Sequence, residues 1–128
     1  MTDALIGAGA VALGALVGGP ARLWLTEQIT GAAGDRFPWG TLAVNVLGCC
    51  AIGAAGAYAQ AHGLAADSSW WLLLVTGGLG SFTTVSSFAL QSLALLRRRD
   101  FKRASAYVAA SLACGIGAAA LGFALVRA

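Results

Sequence analysis

The sequence predicts an all-α membrane protein with four transmembrane helices, the third broken in its middle. Three observations carry this. The 128 residues are 59% hydrophobic and only 10% charged, against about 25% charged in an average soluble domain. Formal charge is absent from residues 4–21, 37–66, 68–96 and 104–126, and each stretch reaches the roughly 18 apolar residues that identify a spanning helix. The centre of the third stretch reads TGGLGSFTTVSSF, which is glycine and hydroxyl rich where a continuous helix would favour Leu or Ala. Eight basic and five acidic side chains cannot cover the surface of a small protein in water. The composition therefore excludes a soluble enzyme, a disordered chain and a disulfide-stapled secreted domain.

The elements follow in order. The first span covers about 4–25. Its start, MTDAL, carries an acid where a signal peptide has basic residues, and its apolar run exceeds a typical signal core, so it reads as a retained helix. The loop TEQITGAAGDRFP follows, with Pro38 blocking helix continuation. The second span covers about 39–60 and the loop AHGLAADSS leads out of it. The third covers about 70–96, the basic turn RRRDFKR follows, and the fourth covers about 104–126. Little of the chain is left for a separate soluble domain, so residues 1–128 form one integral membrane unit. Glycine is abundant, at 18 residues. In lipid, small residues let helices approach closely, so GAGAVALGALVGG and CGIGAAALG read as packing helices.

Charge placement predicts orientation. Arg22, Arg36, Arg97, Arg98, Arg99, Lys102 and Arg103 fall on the side of the first and third loops, and Arg127 alone falls on the other, a bias of seven to one. The positive-inside rule then puts those loops in the cytoplasm and both termini outside. RRRDFKR is a tight turn without an aromatic platform, so a nucleic-acid patch is set aside in favour of contact with anionic lipid. Cys49, Cys50 and Cys114 lie in apolar spans without CxxC spacing and read as small buried hydrophobes. His62 stands alone in a loop and makes no metal site.

Polar residues inside the bilayer carry the functional signal. Thr41 and Asn45 lie four residues apart on one face of the second span, and a buried Asn in a membrane needs a partner helix or a water-filled path. Spacing leaves both readings open. In the third span a break would bare carbonyls and amides that must face protein, water or an ion. Tyr107 and Ser111 repeat the four-residue spacing on the fourth span. The spans thus offer neutral hydrogen-bond donors without an embedded acid or base, which favours a small anion over a cation.

Four segments, GGPAR at 18–22, PWGTLAVNVLG at 38–48, GGLGSFTTVSSF at 77–88 and YxxxS at 107–111, resemble the Fluc/CrcB fluoride channels, and the resemblance covers essentially the whole chain. It implies a passive, fluoride-selective channel that exports fluoride from the cytoplasm, lowers its toxicity and is not an enzyme. It implies an antiparallel dimer in the cell membrane with two narrow pores, and a central structural sodium ion that is not transported. By the same resemblance, sodium is held by the backbone carbonyls of Gly80 and Thr83. Asn45 and Phe88 contact fluoride, the latter through its ring edge. Thr41, Thr84, Ser86, Ser87, Tyr107 and Ser111 complete the pore, and Arg22 lies at a vestibule.

The chain departs from the family pattern at Val85, where the first of two pore phenylalanines is expected. It departs also at Gln91 (a glutamate is common), Gly115 (a serine) and Ser81 (a glycine). The missing ring and the one-sided charge together point to one half of a heterodimer with a related, oppositely oriented chain, while a homodimer stays open. A proton-coupled multidrug exporter of similar size is the rival class, but it needs a carboxylate at membrane depth, and Asp3, Glu27, Asp35, Asp67 and Asp100 lie at ends or loops. A non-conducting assembly subunit is the third reading.

Overall fold

In the computed structural model, which describes residues 2–128, five helices form four membrane-length rods. They are α1 (Thr2–Ala33), α2 (Trp39–Ala61), α3 (residues 69–82), α4 (Val85–Arg97) and α5 (Phe101–Arg127). α3 and α4 together make the third rod. All four rods are long and apolar enough to cross a bilayer, so this is a multi-pass membrane protein. Among the described residues the buried core is small, limited among hydrophobics to Val44, Ala57, Ala59, Val75, Leu95, Ala104 and Tyr107. Leu13, Leu16, Val17, Leu23 and Ile116 are each at least 58% exposed, an outer surface suited to lipid tails.

Backbone-to-backbone packing holds the rods together. α1 packs along α3, and α2 along α5. A methyl group on Gly14 would collide with the Leu73 carbonyl, and one on Gly77 with the Val11 carbonyl. Gly53 meets Ala119, and Gly122 meets Cys50, in the same way. Such contact replaces the hydrophobic drive that lipid removes.

Helix α1 runs past residue 25 to Ala33, so TEQITGAA is helix and not loop. Its residues are compatible with helix, and the chain turns only at Gly34, whose φ of +85° suits glycine. Arg22 therefore lies roughly three turns before the end of α1. Likewise only Arg98–Asp100 of RRRDFKR leave the helix; Arg99 is left-handed there, at φ 58°, and Lys102 and Arg103 belong to α5.

The two ends of the molecule carry aromatic girdles. Phe37 packs at a tilt against Trp39 with centroids 4.5 Å apart. Tyr58, His62, Trp70 and Trp71 form a chain of ring contacts at the other end. From Trp39 to Tyr58, 19 residues of helix span roughly 28 Å at about 1.5 Å each, close to the ~30 Å hydrocarbon core. Phe37 also packs against the cluster of Leu95, Ala104 and Tyr107. The first loop and the basic turn therefore share one end.

Candidate functional site, a broken third helix beside a groove

The third rod loosens before it breaks. Leu72–Leu79 is wound as π-helix, and the Gly80 N–H reaches back to the carbonyls of Val75 and Gly77. Wide turns of this kind are rare, and those that occur are frequently at functional positions. Thr83 (φ −77°, ψ 159°) and Thr84 (φ −150°, ψ 123°) are then fully extended. Local chemistry restarts the helix: Thr84 is the N-cap of α4, its Oγ1 accepting the Ser87 N–H at 3.1 Å, as threonine does at helix starts.

Asn45 holds the break open from α2. Its Nδ2 donates to the Thr84 carbonyl at 2.9 Å, and the Thr84 N–H donates to its Oδ1 at 2.8 Å. Because one contact needs an acceptor and the other a donor, the two together fix the orientation of the amide. The second Nδ2 hydrogen is uncommitted.

The same bonds strip two carbonyls of their helical partners. The donor that would close onto Gly80 is the Thr84 N–H, which goes instead to Asn45. The donor that would close onto Thr83 is the Ser87 N–H, which goes instead to the Thr84 hydroxyl. The Thr83 N–H and hydroxyl both go to Leu79, at 3.0 Å each. Gly48 gives the break room, since a methyl group there would collide with the Thr83 side chain.

Beside the break lies a groove of about 770 Å³. It brings together six of the residues singled out by sequence: Asn45, Gly80, Thr83, Thr84, Phe88 and Ser111. Val85 lies on its rim and is 79% exposed. No carboxylate lines it. Ser111 Oγ is buried and has no hydrogen-bond partner.

The remaining candidates do not line the groove. Tyr107 is fully buried behind Phe88, centroid to centroid 5.4 Å. Thr41 is buried one helical turn from Asn45. Ser87 and Ser86 gather around the Thr84 hydroxyl, at 3.2 and 3.1 Å, so they belong first to the cap. Arg22 stands apart on α1, its Nε buried without a partner.

Two residues named by sequence only as departures prove to be connected. Gln91 Oε1 accepts the Tyr107 hydroxyl at 2.9 Å. Ser81 Oγ lies 3.1 Å from the Gly78 carbonyl and 3.4 Å from that of Ala15, bridging α3 to α1. The polar residue Gln91 inside an apolar span was the available signal for the first. Among the described residues, no three His, Cys, Asp or Glu side chains gather as a metal site.

Comparison with known proteins gives a consistent result. The family model described as CrcB-like protein, Camphor Resistance (CrcB), matches residues 9–123. The chain is 49% identical over 118 residues to the fluoride-specific ion channel FluC 2 of Rhodopseudomonas palustris strain BisB18, covering 91% of this chain and 90% of that protein. It is 41% identical over 122 residues to FluC 2 of Bradyrhizobium diazoefficiens, covering 94% and 89%. It is 40% identical over 120 residues to FluC of Rhizobium etli strain CIAT 652, covering 92% and 94%.

Proposed function

Because this chain belongs to the CrcB-like family, we propose that it is a subunit of a passive, fluoride-selective channel that lets fluoride leave the cytoplasm and so limits its toxicity. The observation that carries the proposal is the Asn45 clamp on the broken third rod. It sets an uncommitted amide hydrogen on the wall of a groove that has donors and no carboxylate.

Fluoride is small and strongly hydrated, so a narrow path must replace its water as it enters. In this chain the spare Nδ2 hydrogen of Asn45, the unpartnered hydroxyl of Ser111 and the edge of Phe88 are the groups that do so. A ring edge carries partial positive charge and tolerates an anion. Each contact is neutral, so none holds the ion too tightly to release it. Thr41 and Tyr107 back this wall, Ser86 and Ser87 support the Thr84 cap, and Arg22 adds positive charge at a vestibule. A proton-coupled exporter would need a carboxylate here, and none lines the groove.

The groove beside the break, with Gly80 exposed and Thr83 half-buried, also suits assembly. In this reading two subunits lie antiparallel with their breaks facing. The carbonyls of Gly80 and Thr83 from each would hold a sodium ion, since carbonyl oxygens suit hard cations. Their loss of helical donors supports the assignment, because bare carbonyls at membrane depth are costly without a partner. When bound, the ion supplies positive charge that the four carbonyl dipoles would otherwise lack. Val85 on the groove rim and the clustering of cations at one end support a heterodimer, with a related chain supplying the opposite orientation and the missing ring.

The test is fluoride efflux from liposomes carrying the chain alone and with a related partner. The reading expects sodium-dependent efflux, faster with the partner, and no chloride efflux. Absence of fluoride efflux in both preparations would leave a non-conducting subunit. Strong efflux from the single chain would return the assembly to a homodimer. A dimer that survives sodium removal unchanged would refute the structural ion.

A further inference from the structure

The turn between α4 and α5 concentrates charge that the pore does not use. Arg97, Arg98, Arg99, Lys102 and Arg103 are all exposed. The one acid among them is spent internally: Asp100 Oδ1 accepts the Arg103 N–H at 3.2 Å, and Oδ2 pairs with Arg103 Nη1 at 2.6 Å. Arg97, Arg98, Arg99 and Lys102 have no ion-pair partner among the described residues. The left-handed backbone at Arg99 lets the chain reverse here, and a shallow, open hollow lies among Arg98, Arg99, Asp100, Phe101 and Lys102. Phe101, 62% exposed, and Leu96, 46% exposed, flank the cations with apolar surface.

The turn joins two membrane-spanning rods, so it lies where headgroups lie. Charge needed only to orient the chain would require neither a hollow nor an exposed ring. Guanidinium forks match phosphate oxygens, and a ring next to them faces the acyl boundary. We propose that this turn is a binding site for the headgroup of an anionic phospholipid, held by Arg98, Arg99 and Lys102, with Phe101 against the chains. The inference rests on the membrane reading and is independent of how the pore works.

Native mass spectrometry of the full chain, equilibrated with equal phosphatidylglycerol and phosphatidylcholine, tests it. Wild type should retain the anionic lipid with a preference on the order of tenfold, as expected for a few cations near an anionic surface. R98Q/R99Q/K102Q should fall to near parity, and R98K/R99K, which keeps the charge but loses the guanidinium forks, should fall in between. R127Q, at the other end, should leave it unchanged. If the triple variant folds poorly, R98Q alone should lower the preference severalfold. Parity in wild type, a preference that survives the triple variant, an equal loss in R127Q, or displacement of the lipid by inorganic phosphate would each overturn the proposal.

Discussion

Asn45 and Thr84, 39 residues apart, are joined by two hydrogen bonds that run in opposite directions between one side-chain amide and one residue's backbone. The pair does what a helix would have done at that position, since it satisfies the Thr84 N–H and a carbonyl acceptor. It does so from α2, which makes the break part of the tertiary structure. It also leaves the Gly80 carbonyl without its helical donor, while the Thr84 hydroxyl takes the Ser87 N–H from the Thr83 carbonyl.

Replacing Asn45 therefore separates holding the break from conducting. Asn45→Asp can still accept the Thr84 N–H but cannot donate to its carbonyl, and an ionised carboxylate would repel fluoride. Asn45→Ala loses both bonds and should cost about 2–3 kcal/mol of stability by orphaning buried polar groups. A donor to an ion is worth about 1.5–3 kcal/mol, roughly 10- to 100-fold in rate. Both variants should lose at least that much fluoride flux, while the Asp variant unfolds later than the Ala variant. Thermal unfolding beside liposome efflux reads the two effects; normal flux in Asn45→Asp would remove Asn45 from the path.

Tyr107→Phe isolates a second polar contact. The ring packs edge-on against Phe37, at 5.6 Å, and near Phe88, and phenylalanine preserves that shape. The bond to Gln91 is lost, so stability should fall by about 1 kcal/mol. Tyr107→Phe paired with Gln91→Leu, which removes both partners, should recover part of that loss. Unfolding of the two variants in one detergent checks it. Equal stability of all three forms would mean the bond contributes nothing.

Close packing predicts where added bulk is tolerated. A methyl group on Gly77 would meet the Val11 backbone, whereas one on Gly117 would meet nothing within 4 Å. Gly77→Ala must push α1 from α3 next to the π-wound segment, at a cost on the order of 1–3 kcal/mol. Gly117→Ala should be neutral or slightly stabilising, as alanine favours helix. Comparing their melting temperatures decides the point, and matching melts would mean α1 and α3 are not in backbone contact.

How much of this was legible in the sequence varies with the range of the interaction. The four rods follow from where charge is missing, and the break follows from the glycines and hydroxyls gathered at the centre of the third. TEQIT is polar enough to read as a loop, yet nothing in it stops a helix before Gly34. Asn45 was visible as a polar intruder, but its partner 39 residues on was not, because spacing rules reach only along one helix. The bond between Gln91 and Tyr107 crosses the basic turn and was hidden for the same reason.

Val85→Phe tests the idea that this chain lacks one of the family's pore rings. Position 85 is 79% exposed in the single chain, so the added ring meets no packed neighbours and should change stability by less than about 0.5 kcal/mol. Its place on the groove rim next to Thr84 is where an incoming ring edge would face the path. An aromatic edge contact is worth on the order of 1 kcal/mol, about fivefold in rate. The single-chain variant should therefore conduct fluoride about five times faster than wild type, measured as efflux at equal protein incorporation. In a preparation co-assembled with a related partner that supplies its own ring, the gain should be smaller. An unchanged single-chain rate would place residue 85 off the path, and the heterodimer argument would then stand on the one-sided cations alone.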